Sequence, residues 1–161
     1  MMTLRAALIL AIAPAVSGSP VRAQAADAEA PSGGPLADSL RAFAQGMAAM
    51  LRARNAAGTL GLYGDTTRFV HVDNGRVIPW TEMSAMVRQY FSTAKSNPLS
   101  VVGEPGVTIA DGNNAVVYVT HRFDATGDRP AHGGVWTGVL HRFPEGWRVV
   151  HSHSSDLPPP R

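Results

Sequence analysis

The sequence predicts an α+β domain, with helices and strands segregated along the chain. Three observations carry this. Apolar residues recur at helical spacing over 36–54 and again after residue 80. From residue 99 the apolar period drops to 2. The breaks in that later half are mostly short polar turns, which join antiparallel neighbours.

The elements follow in order. Leu36, Leu40, Phe43, Met47, Met50 and Leu51 fall on one helical stripe, with Arg41, Gln45 and Arg52 off it. Gly58 is expected to break the pattern, leaving TLGLYG as a second short helix or a turn. Residues 67–73 (TRFVHVD) read as a strand with Phe69 and His71 on one face and Val70 and Val72 on the other. Asp73-Asn74-Gly75 is a turn signal, and 76–78 complete a hairpin. Pro79-Trp80-Thr81 opens a helix with Thr81 as N-cap; Met83, Met86, Val87, Tyr90 and Phe91 form its apolar face. Strands are expected at 99–109, 115–123, 133–143 and 147–154. Turns at 111–114 and 144–146 and a polar loop at 124–132 connect the last three strands to what precedes them.

The ends carry different signals. Arg5, the apolar run from Ala6 to Val16 and the triplet Ala23-Gln24-Ala25 have the order of a cleavable signal peptide over residues 1–25. That run is 11 residues long, short of the ~20 a membrane-spanning helix needs. The expected product is periplasmic or secreted, with no membrane attachment after cleavage. Residues 26–35 read as a flexible linker, 36–156 as the domain and 157–161 as a Pro-rich tail.

Charge and cysteine usage exclude several functions. The chain has 14 basic and 12 acidic residues; Arg5 and Arg22 would leave with the signal, making 12 of each. There is no basic stripe interleaved with aromatics, so nucleic acid is not an expected partner. The chain has no cysteine, which rules out thiolate catalysis and Cys-ligated zinc.

The second half resembles the nuclear transport factor 2-like superfamily in its SnoaL-like branch. The likeness rests on Gly75, on Asp111-Gly112 before AVVYVTHRF, and on GVWTGVLHRFPEGWRVVHSHSS (134–155). It covers 36–156 in element order and is specific in sequence over 107–155. The final hairpin is also similar to the association domain of calcium/calmodulin-dependent kinases, although Tyr118 and Gly138 stand where that domain has pocket arginines. The resemblance implies a cone: a curved mixed sheet wrapped on N-terminal helices, a pocket at the wide end, and a homodimer paired through the sheet. Some members are enzymes and others are binding modules, so fold alone does not decide activity.

Histidine is the main chemical signal, since all 6 lie between residues 71 and 153 and imidazole titrates near neutral pH. Strand alternation puts His151 and His153 on one face with Trp147 and Val149. With His121 they suggest a possible chelate, but His-x-His on a strand is not a specific zinc spacing and no H-E-x-x-H occurs. Neither a metal nor a cofactor is expected. His121 ends the apolar face of Ala115, Val117 and Val119, as a packed histidine or a pocket wall would. Asp73 is the best carboxylate for base chemistry, although Asp in such a turn also serves the backbone. The catalytic candidates are therefore His71, Asp73, His121 and His151. The ligand-contact candidates are Tyr63, Phe69, Trp80, Tyr118, Trp136 and His153. The expected partner is a small, partly apolar molecule held in the cone pocket. The alternative is an acid–base enzyme of isomerase, dehydratase or cyclase type using His and Asp.

Overall fold

The computed structural model describes residues 33–94, 98–125 and 130–157. The expected signal peptide and residues 26–32 of the expected linker lie outside the described residues, as do 158–161.

Helix α1 spans Pro35–Arg52, with proline in its first turn, Asp38 near its N-terminus and Arg52 near its C-terminus. Proline's missing N–H costs nothing there, and both charges oppose the helix dipole. Ala37, Leu40, Ala44, Met47 and Ala48 are its buried face. The helix closes at Arg52 with Ala53 as its C-cap, and Arg54, at φ +54°, turns the chain away, within the 36–54 bounds the sequence pattern gave. Asn55 then caps α2 (Ala56–Leu60), its side chain accepting from the Gly58 amide at 2.8 Å. Gly58 is thus inside α2, where a Cβ would meet that capping side chain at 2.6 Å.

The expected strand at 67–73 shortens to β1 (Val70–Asp73). A turn takes its start: the amides of Arg68 and Phe69 both donate to the Asp65 carbonyl at 3.0 Å. Asn74 (φ +47°) and Gly75 (φ +85°) form the tight turn into β2 (Arg76–Pro79). Two successive positive φ values match the twist of a two-residue hairpin. Helix α3 (Trp80–Thr93) starts one residue before the expected Thr81 cap, with Pro79 in the N-cap place and no side-chain cap.

The expected strand at 99–109 divides into β3 (Leu99–Val101) and β4 (Gly106–Ile109). Gly103, at φ +74°, turns the chain out of line between them, and Pro105 cannot donate to a ladder. Both pair with β5 (Asn114–Phe123), which is followed by β6 (His132–Phe143) and β7 (Gly146–Asp156). The seven strands form one curved, open sheet in the order β2-β1-β7-β6-β5-β3, with β4 also on β5. Among the described strands, only the β1–β7 pair is parallel. The mixed sheet and its helices make the predicted α+β cone.

The core lies between the concave face and the helices. Leu40, Ile78, Val117, Leu140 and Val149 are all at most 1 % exposed. Each such aliphatic side chain contributes about 1.5–3 kcal/mol by leaving water.

One irregularity controls the rest. Leu140 pairs with Val149, but Val139 pairs with His151, so Val150 is an extra residue in β7. Such a bulge inverts strand alternation beyond it. Trp147 and Val149 face inward before the bulge; Ser152, Ser154 and Asp156 face inward after it, opposite Gly138, Trp136 and Gly134. His151 and His153 are turned to the convex face. The expectation that they share a face with Trp147 and Val149 is therefore corrected, because the alternation slips by one at Val150.

Candidate functional site

A cavity of about 320 Å³ opens between α1, α3 and the concave sheet. Met47 and Leu51 from α1, Met83 and Val87 from α3, and Leu99 and Val101 from β3 supply much of its hydrocarbon wall. Its polar side chains are Tyr63, from the segment after α2, and, from the sheet, His71, Asp73, His121, His132, Ser154 and Asp156.

Three rungs of the sheet order these groups. The first runs His71, Ser152, Gly138, Val117 across β1, β7, β6 and β5. The next runs Asp73, Ser154, Trp136, Val119. The last, at the strand ends, runs Asp156, Gly134, His121 and reaches Val101 of β3. Two glycines make room for rings. A Cβ on Gly138 would lie 2.2 Å from Trp136 Cη2, so the indole lies across that glycine. A Cβ on Gly134 would lie 2.9 Å from both Cε1 and Nε2 of His121. Gly134 therefore lets the His121 ring fold over β6, toward the rung that ends in Asp156.

Ser152 is fully buried. Its Oγ lies 2.9 Å from His71 Nδ1, and its side chain also interacts with that of Tyr63. Burial pushes the Tyr63 hydroxyl up to about 12, with the Ser152 bond acting weakly the other way, so Tyr63 stays protonated. Burial also lowers the pKa of His71, against the pull of Asp73 and of the Ser152 backbone; His153 and His151 add to the lowering. His121 is lowered by burial and by His132, opposed by the Val119 backbone and by Asp156. Both imidazoles are thereby held in the neutral form near pH 7.

Asn74 ties the carboxylates to the frame. Its Nδ2 donates to Asp156 Oδ2 at 3.1 Å and, more weakly, to Asp73 Oδ1 at 3.4 Å. Its Oδ1 accepts the Asp156 amide at 2.9 Å, and its own amide donates to the Ser154 carbonyl at 3.0 Å. His132 stacks on Phe123 with centroids 4.9 Å apart and an interplanar angle of 17°.

The model of the SnoaL-like domain matches residues 40–160, three quarters of the chain. The chain belongs to the SnoaL-like domain family. No curated protein matches it. Many solved structures do. A superfamily protein from Salmonella enterica is 15 % identical, with a TM-score of 0.63 over 75 % of this chain and 90 % of that one. A ketosteroid isomerase-like protein from Erwinia carotovora is 17 % identical, TM-score 0.57, covering 73 % and 93 %. A candidate calcium/calmodulin-dependent protein kinase II association domain from Xanthomonas campestris is 17 % identical, TM-score 0.61, covering 83 % and 95 %. At these identities the likeness establishes the fold and nothing finer.

Within this SnoaL-like cone, the structure brings five of the expected residues to the cavity: His71, Asp73, His121, Tyr63 and Trp136. The others stand elsewhere. Phe69 and Trp80 pack behind Tyr63, with ring centroids 4.9 and 5.6 Å from it, and hold it in place without lining the cavity. Tyr118 is 50 % exposed on the convex face, its ring lying over Gly106. His151 and His153 are on that face as well, for the reason given by the bulge. Ser152 and Ser154 were missed on the same account, and Asp156 because the expected strand stopped at 154 whereas β7 runs on to Asp156. The signal was the Val149-Val150 doublet, where two apolar residues in succession break the period-2 pattern. His132 was read as loop and is the first residue of β6. Among the described residues, no group of three or more His, Asp or Glu is placed to hold a metal ion.

Proposed function

We propose that this SnoaL-like domain binds a small, largely apolar molecule that is uncharged or cationic. One observation carries the reading: helices and β3 give a hydrocarbon wall, while the polar end holds the carboxyls of Asp73 and Asp156 and, among the described lining residues, no Lys or Arg. Arg76, opposite Asp73 in the hairpin, pairs with Glu82 instead. An anionic guest would be desolvated beside two acidic side chains with no counter-charge, which is costly. A cationic one gains from both carboxylates and from the aromatic faces of Tyr63 and Trp136. The volume of 320 Å³ corresponds to about ten water volumes of ~30 Å³ each, so the guest has on the order of ten non-hydrogen atoms.

Export and pairing belong to the same proposal. Residues 1–25 have the signal-peptide order, and the mature chain would begin at Ala26. Val116, Val135 and Val139 face outward with Tyr118 and form an apolar strip on which two sheets would pack.

Native mass spectrometry of the protein recovered from the exported fraction tests all of this. The expected spectrum has a subunit mass starting at Ala26, a dimer, and adducts with a small aryl ammonium compound and its alcohol analogue. The matched carboxylate is expected to give none. Met47→Trp, which fills the cavity, should abolish the adducts. A carboxylate that binds best, or adducts indifferent to Met47→Trp, would sink the ligand reading.

A further inference from the structure

We propose that His151 and His153 form a two-imidazole site for a transition-metal ion, Cu²⁺ ahead of Zn²⁺, on the convex face of the sheet. The site lies across the sheet from the cavity and does not depend on what the cavity binds.

The bulge is the starting point. Beyond Val150 the ladder between β7 and β6 is regular: His151 pairs with Val139, Ser152 with Gly138 and His153 with Thr137. On its other edge β7 pairs with β1, Ser152 with His71 and His153 with Val72. Ser152 is fully buried on the concave side. The residues before and after it therefore both stand on the convex side, and each is half-buried. Their Cβ atoms are about 6.6 Å apart, twice the rise per residue. Two nitrogens on one ion at ~2.0–2.1 Å lie about 3 Å from each other, so the rings need only lean together along the strand. Ladders on both edges of β7 fix the backbone beneath them, and ligands fixed in advance lose less freedom on binding.

Hydrogen bonding singles out the same pair. His71 Nδ1 has Ser152 Oγ at 2.9 Å, His141 Nδ1 has Asn114 Oδ1 at 2.8 Å and His132 Nδ1 has the Pro130 carbonyl at 3.4 Å. His121 interacts with the Val119 backbone. Among the described residues, His151 and His153 have no hydrogen-bond partner. The spacing of His-x-His is not specific by itself. Two neighbouring rings on one rigid face, with their nitrogens uncommitted, are a ligand set.

The surroundings select the ion. The outward residues beside the pair are Val72 on β1, Thr137 and Val139 on β6 and Ser155 on β7, none of them charged. Ca²⁺ and Mg²⁺ need carboxylate or carbonyl oxygens and find none offered by these side chains. Imidazole suits copper and zinc, and the affinity of a nitrogen site for first-row divalent ions peaks at Cu²⁺. With two protein ligands, water fills the remaining positions and the ion stays exchangeable.

The test titrates the mature protein, without an affinity tag, with Cu²⁺ alone, followed by calorimetry and by ¹H–¹⁵N NMR. One ion per subunit is expected, with broadening centred on residues 151–153 and their neighbours Val72 and Thr137. Electron paramagnetic resonance of the frozen complex should show coupling to two imidazole nitrogens, and to one in His153→Gln. His151→Gln and His153→Gln should each weaken binding about 10²-fold, because the second nitrogen of a chelate binds intramolecularly. Both side chains point away from the core, so circular dichroism melts should match the wild type. His141→Gln, on the same face but with its ring held by Asn114, should bind Cu²⁺ as the wild type does. Uptake that survives loss of both His151 and His153, broadening centred on His71, His121 or His132, or no uptake by the wild type would overturn the site. Each of those results leaves the cavity's adducts, and so the binding reading above, unaffected.

Discussion

Gly138→Ala is the sharpest test of how the cavity is built. The new Cβ would stand 2.2 Å from Cη2 and 2.8 Å from Cζ2 of Trp136. Ordinary carbon contacts are ~3.5–4.0 Å, so the indole must move by more than 1 Å. Trp136 is only 9 % exposed and lies between Ser154 and Val119 on its rung, so it has little room to go except into the cavity. Overpacking of this kind costs about 1–3 kcal/mol. Replacing Gly by Ala in a strand returns about 0.5–1 kcal/mol. The expected net loss is therefore about 1–2 kcal/mol, or about 3–8 °C in Tm for a domain of this size. Gly106→Ala is the control. Its Cβ would be even closer to a ring, 1.9 Å from Tyr118 Cζ, but Tyr118 is half exposed and can swing into solvent. That change should stay within about 0.5 kcal/mol. Circular dichroism melts give both values, and tryptophan fluorescence should shift only in Gly138→Ala. Equal costs at the two glycines, or a Gly138→Ala protein as stable as the wild type, would refute the claim that buried Trp136 depends on that missing side chain.

Two further outcomes follow from the same residues. Asn74→Gly keeps the positive φ and loses the two side-chain bonds to Asp156, for about 1–2 kcal/mol; Asn74→Ala adds about 1 kcal/mol of left-handed strain, and chemical denaturation should resolve the order. Stability should also fall on mild acidification. His71 and His121 have folded pKa values below the ordinary 6.5, so the unfolded chain binds protons first. Their contribution is present above 6.5 and is lost as pH falls from there through the folded values, with a slope of at most ~1.4 kcal/mol per pH unit for each group. Urea midpoints at pH 8, 7, 6 and 5 should show the decline, and a His71→Gln/His121→Gln double variant should flatten it; an unchanged decline in that variant would place its origin elsewhere.

Much of this was legible in residue order because the physical signals are local. The stripe of Leu40 and Met47, the Asp73-Asn74-Gly75 turn and the period-2 runs of β5 and β6 each depend on neighbours within a few positions. So did the inward face shared by Phe69, His71 and Asp73. What failed needed knowledge of a partner strand. Gly103 and Pro105 cut one long strand into β3 and β4, although both halves remain on β5. Tyr118 is one residue out of phase with inward-facing Val117 and Val119, which its aromatic character obscured. Phe69 and Trp80 face inward, but they lie one layer too deep to meet a guest and act through Tyr63.

The bulge joins the failed part of the reading to the site itself. A regular β7 would carry the phase of Trp147 and Val149 through to His151 and His153. Two more imidazoles would then lie inward near His71, while Ser152, Ser154 and Asp156 turned outward. Tyr63 and His71 would lose their common partner, and each buried polar group left unpaired costs about 1–3 kcal/mol. Inserting Val150 exchanges a strand of histidines for two small hydroxyls and a carboxyl, and it does so after the core contacts of Val149 are made. In the cavity, the histidine-rich C-terminal run that drew attention in the sequence thus matters less for its histidines than for the serines between them.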